Sequence, residues 1–174
     1  MEYTFTLKYR LTPDDGTPHE VAERLGAAGC TDALVGVGLS GRLALEFTRE
    51  APSAEAALLS ALTDVKTAVP HAQLIEAAPD FVGLTDVAEV VGVTRQNLRK
   101  LMLGYSANFP LPVHEGSATV WHLADLLEWL KTRVAYQVEP TTLAVAQATK
   151  QINLAKLALQ IAPSTTQEVH ALLV

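Results

Sequence analysis

The first half of the chain is organised by alternation. Tyr3, Phe5, Leu7, Tyr9 and Leu11 interleave with Glu2, Thr4, Thr6, Lys8 and Arg10, the period-two pattern of a half-buried strand. Arg42 to Thr48 repeats it, with Leu43, Leu45 and Phe47 on one face. Between these strands, Pro13-Asp14-Asp15-Gly16 predicts a turn. Residues 18–28 predict a helix with Val21, Ala22 and Leu25 inward, and Ala33 to Val37 an apolar strand. Ser53 to Val69 predicts a second helix, capped by Ser53 after Pro52 and ended by Pro70. Gln73 to Ala77 supplies a last short strand. Cys30 is the chain's single cysteine, so no internal disulfide can form, and its small-residue surroundings predict a core position.

The resulting order over residues 1–79 is βαββαβ, the layout of a ferredoxin-like domain. One sheet face would carry both helices, leaving the other open to a partner. Gly36-Val37-Gly38-Leu39-Ser40-Gly41 spells GxGxxG. A dinucleotide site needs a helix directly after that motif. Arg42 to Phe47 alternates like a strand instead, so the glycines predict a hairpin turn.

From Leu84 the period changes. Val87, Ala88 and Val91 form one helical stripe, and Gly92 stands where the helix must turn sharply. Val93 plugs the corner. Thr85 is expected to cap the first helix and Thr94 the second. Leu98, Leu101 and Met102 make the inward face of the second helix. Arg95, Gln96, Arg99 and Lys100 point outward, with Asn97 near the edge. Arginine can grip guanine through two hydrogen bonds, and glutamine or asparagine can grip adenine. Asn108-Phe109-Pro110-Leu111-Pro112 stops the helix. Val113 to Val120 then predicts two short strands around a Gly116-Ser117 turn. Leu123, Leu126, Leu127 and Leu130 form the stripe of a third helix, and Trp121 and Trp129 read as core.

The segments GLTDVAEVVGVTRQNLRKLM, NFPLPV and VWHLADLLEWL, in that order, make residues 81–133 resemble the excisionase and MerR-type winged helix-turn-helix family. The resemblance implies a winged DNA-binding domain at 80–134 in a bacterial or phage transcriptional regulator. It implies that Thr94 opens the recognition helix, that Arg95, Gln96 and Arg99 face bases, and that Asn97 and Lys100 reach phosphates. It also implies that the wing around His114 and Ser117 lies along the DNA backbone or minor groove. An architectural role in DNA bending is a second implication, because the family includes excisionases.

Residues 135–174 form a third piece. Pro140 suits a first helical turn. Leu143, Ala146, Ile152, Ala155, Leu159 and Ala162 recur close to a heptad seam, and Val145, Leu154 and Leu157 widen it. Over 139–161 the only charges are Glu139, Lys150 and Lys156. Such a helix is expected to be buried, on a second copy in a homodimer or back on its own chain. MerR-type regulators resemble the first arrangement. The last eight residues are expected to be a short helix or a loose tail.

Charge sharpens this picture. The net charge is −6. Residues 1–80 hold 6 basic and 12 acidic side chains, 81–133 hold 5 and 5, and 134–174 hold 2 and 2. The first part therefore carries all the net acidity, on side chains expected mostly at the surface. That surface suits a basic protein partner, as in an antitoxin-like or adaptor protein, or else the domain senses a small-molecule effector. The winged segment is neutral, so one copy should hold double-stranded DNA weakly, which favours a dimer.

At 174 residues and 49% hydrophobic content the chain suits a folded two-domain α+β protein. It has no run resembling a membrane span or signal peptide, so a cytoplasmic location is expected. The five histidines lack metal-like spacing and no nucleophile motif is present. An enzyme, a metal site and a cofactor are therefore not expected.

Overall fold

The computed structural model describes residues 1–133 and 135–173. It is a mixed α+β structure, with a four-stranded antiparallel sheet and, among the described residues, seven α-helices. The sheet is built from β1 (Glu2–Arg10), β2 (Ala33–Val37), β3 (Arg42–Glu50) and β4 (Gln73–Ala78) in the order β2-β3-β1-β4. Alternation sets the register: Phe5 lies opposite Phe47 and Leu7 opposite Leu45, so the apolar side chains of both central strands share one face. Helices α1 (Pro18–Ala27) and α2 (Ala54–Ala68) pack on that face, and Val21, Leu25, Leu58 and Val65 complete the core. Cys30 is buried there, as expected, and burial raises its thiol pKa.

Local signals act where the sequence puts them. The Ser53 hydroxyl caps α2 by accepting from the Ala56 N–H at 3.1 Å. The GxGxxG segment is a turn between β2 and β3, with Gly41 at φ +71°. Most acidic side chains of the first part lie at the surface, as expected, with exceptions. Asp15 and Asp80 are buried. Asp32 takes two hydrogen bonds from Arg49, at 2.7 and 3.0 Å, and Asp64 takes one at 2.8 Å. The Arg49 guanidinium holds the Asp32 carboxyl below its ordinary pKa.

The second core gathers β5 (Phe81–Val82), α3 (Leu84–Val90), α4 (Arg95–Gly104), β6 (Trp121–His122) and α5 (Leu123–Lys131). Val87, Ala88, Leu98, Trp121, Leu123, Leu126, Leu127 and Leu130 fill it. β5 and β6 pair antiparallel at the base. The boundary expected at 134 falls on a residue outside those described.

Helix α6 (Pro140–Ala158) belongs to both cores. Val145 and Ala148 enter the first; Leu143 and Ala146 enter the second. Flanked on two sides, it buries a wide arc instead of the expected heptad seam, and Ala155 and Leu159 of that seam are exposed. Asn153 and Thr149 are also buried. The Asn153 amide accepts from the Ala77 N–H at 2.9 Å and donates to the Ala77 carbonyl at 2.8 Å, as a neighbouring strand would. Lys156 donates to the Ile75 carbonyl. Helix α6 thereby covers the free edge of β4, where unpaired backbone groups would otherwise be exposed. Asn153 also donates to Asp80 at 2.8 Å, Asp80 pairs with the buried His122 at 2.7 Å, and Thr149 donates to the Pro79 carbonyl at 2.7 Å. This polar cluster ties the end of the sheet to the second core. The chain continues as α7 (Pro163–Leu173); Val174, part of the expected tail, lies outside the described residues. No helix among the described residues is long and apolar enough to cross a membrane.

Candidate nucleic-acid interface

Helix α4 is held from below and at its start. Leu98 is buried, with Leu101 and Met102 packed beside it. Gly92 sits at φ +70° with nothing within 4 Å of where a Cβ would be, so its role is the left-handed turn and not close packing. The Val93 N–H donates to the Ala88 carbonyl at 2.9 Å and closes the corner. Thr94 is the expected N-cap: its hydroxyl accepts from the Asn97 N–H at 3.2 Å. Thr85 is not a cap. The cap is Gly83, two residues earlier, and helix α3 starts at Leu84, because the Asp86 carboxylate accepts from the Gly83 N–H at 2.7 Å.

Arg95, Gln96, Asn97, Arg99 and Lys100 are all exposed, but they do not share one environment. Arg95 and Arg99, one turn apart, line a groove of about 620 Å³ whose far wall includes Glu115 and Ser117. Its floor is apolar, with Met102 and the buried Trp121. Gln96 and Lys100 stand outside this groove. Asn97 faces the other way and accepts from the Tyr136 hydroxyl at 2.8 Å. That contact joins residues 39 positions apart and lies beyond the expected boundary at 134. No local sequence signal could have shown it.

The loop after α4 is a correction to the two expected wing strands. Pairing shrinks to a single bridge between His114 and Val120, with Val113 adding one more hydrogen bond to Val120, at 2.7 Å. Prolines at 110 and 112 have no N–H to donate, which shortens the pairing. The loop is fixed by packing instead. The Trp121 indole donates to the Pro110 carbonyl at 3.1 Å, and Phe109 stands edge-on to Trp121 and Trp129. The His114 ring lies against Gly116, where a Cβ would approach its Nε2 to 2.7 Å. Trp121 is core, as expected; Trp129 is half-buried under the Arg133 guanidinium, 3.2 Å from its ring centroid. Arg133 is thereby turned away from the groove.

Chemically, the groove sets two forked, permanently charged donors against an apolar floor, a combination suited to an extended anionic strand. Glu115 on the opposite wall, which no sequence motif marks as a site residue, works against an anion. Among the described residues no three His, Cys, Asp or Glu side chains are grouped to hold a metal ion. In comparison with known proteins, no family model, curated protein or solved structure matches this chain.

Proposed function

We propose that this chain is a sequence-specific DNA-binding protein acting as a dimeric transcriptional regulator. On this reading residues 80–134 are a winged helix-turn-helix of the excisionase and MerR type, and residues 1–79 are a ferredoxin-like domain. The observation that carries it is α4 itself. The helix is capped by Thr94 and anchored by buried Leu98, and it projects Arg95 and Arg99 into one groove with Gln96 and Lys100 alongside. A helix of this kind fits the major groove, where arginine and glutamine read base edges. Arg95 and Arg99 would meet bases or the flanking phosphate strand, with Lys100 on the next phosphate and Ser117 and His114 on the loop side. Asn97 would act by fixing the helix through Tyr136.

In-vitro site selection with purified protein tests the reading. A recovered motif that reappears in gel shifts supports it. Arg95→Ala with Arg99→Ala should weaken binding to that motif at least about tenfold, since a good bidentate contact is worth ~1–3 kcal/mol. Unchanged binding in the double variant would overturn the assignment.

A further inference from the structure

The sheet face away from α1 and α2 is open, and its charges are sorted by end. Glu2 lies directly opposite Glu50, and eight residues along the same strands Arg10 lies directly opposite Arg42. All four are exposed. Like charges placed opposite one another weaken a sheet, and this sheet carries one such pair at each end, of opposite sign. Between them lie Thr4 opposite Thr48, Thr6 opposite Glu46 and Lys8 opposite Ala44. The middle row runs Leu34, Glu46, Thr6, Ala78 across all four strands. Leu34 on that row is 70% exposed.

We infer that this face binds a second copy of the chain, face to face, about a two-fold axis lying along the middle row. A two-fold interface presents one patch to itself, so the patch must be self-complementary. Rotation about the middle row reverses the strands and sets the Glu2–Glu50 end of one copy over the Arg10–Arg42 end of the other, twice. It also stacks Leu34 on Leu34. A two-fold axis parallel to the strands would put acid on acid and base on base, so the charges select the first arrangement. Lys8 is already paired with Glu76 at 3.3 Å and Arg10 with neutral Gln73, so the arginine charges remain for the partner.

Size sets the strength. Strands of nine, five, nine and six residues, at ~3.3 Å per residue and ~4.8 Å between strands, cover about 460 Å² per copy, roughly 900 Å² in total, the size of a weak, transient contact. The dimer is therefore weak and salt-sensitive. Glu46 meets Glu46 at the centre, a built-in opposition that weakens it further. The inference gives the proposed regulator its pairing surface, but it stands on the sheet alone, and its test contains no DNA.

Sedimentation velocity on the full chain, from micromolar to millimolar and at low and high salt, reads the equilibrium. Wild type should dimerise at low salt and dissociate in 0.5 M salt, because the four exposed ion pairs that hold the ends are screened there. Arg10→Glu with Arg42→Glu makes both ends of the face acidic; Glu2→Arg with Glu50→Arg makes both ends basic. Each double variant alone should associate at least about tenfold more weakly than wild type, and an equimolar mixture should form a heterodimer. Glu46→Gln should tighten the wild-type dimer, a gain that misfolding cannot mimic. Circular dichroism checks that every variant is folded. A chain that stays monomeric at low salt overturns the proposal. So does a dimer indifferent to both charge reversals, including one lost instead on Leu154→Gln with Leu157→Gln in α6.

Discussion

Replacing Asn153 by alanine takes away three hydrogen bonds at once: from the Ala77 N–H, to the Ala77 carbonyl, and to Asp80. Ala77, Asp80 and Asn153 are all buried, so the three abandoned groups have no easy route to water. Each buried polar group left without a partner costs ~1–3 kcal/mol, more if charged, which sets a floor near 3 kcal/mol. Water entering the space of the lost amide limits the upper end, and we expect about 3–5 kcal/mol, against a total of ~5–15 kcal/mol for a typical domain. Urea denaturation followed by far-ultraviolet circular dichroism gives the loss. Tryptophan fluorescence adds a second readout, because Trp121 and Trp129 both report the second core. In wild type the two transitions should coincide, since α6 supplies side chains to both cores. In the alanine variant they should separate. Asn153→Asp keeps the shape but sets a carboxylate against Asp80, and should be worse than alanine at neutral pH and improve on mild acidification. A loss below about 1 kcal/mol with coincident transitions would refute the coupling argument.

Two further outcomes follow from features of the fold. Gly92→Ala meets no neighbouring atom, so its cost should be backbone strain alone, about 1–2 kcal/mol by thermal melting, whereas a larger loss would mean unseen crowding. Asp32 is held by Arg49 below its ordinary value of 3.8; its contribution is complete above that value and is lost as pH falls through the lower folded value. Wild type should therefore exceed Asp32→Asn in melting temperature at pH 7, and the gap should narrow by pH 3. A constant gap would show that the ion pair is not the source.

Much of the first half was legible because its signals are local and repeated. Strand alternation from Tyr3 to Tyr9 and from Leu43 to Phe47 specifies which face is buried before any partner is known. Gly92 and Thr94 were equally readable, since a left-handed turn and a helix cap depend on neighbours within three residues. Asn153 and Thr149 were not. In sequence they are ordinary members of an apolar helix, and their partners Ala77 and Pro79 lie 76 and 70 residues away. The heptad reading failed for a related reason: a helix between two cores has no single apolar stripe. In the candidate interface, α4 was readable from its own spacing, but its neighbours were not. Which arginines share a groove with Ser117 depends on how the prolines at 110 and 112 carry the loop back past the helix.

The lateness of α6 has a consequence during synthesis. Eighty residues separate Ala78 from Ala158, about 4–16 s of translation at ~5–20 residues per second. Through that interval β4 is complete while Asn153 and Lys156 are not yet made. The nascent chain therefore displays a bare strand edge that the finished protein never shows. Any slowing of translation between β4 and α6 would lengthen that window, and a prematurely terminated product keeps it open for good. Aggregation of this chain in cells should consequently track incomplete translation more closely than the stability of the finished fold.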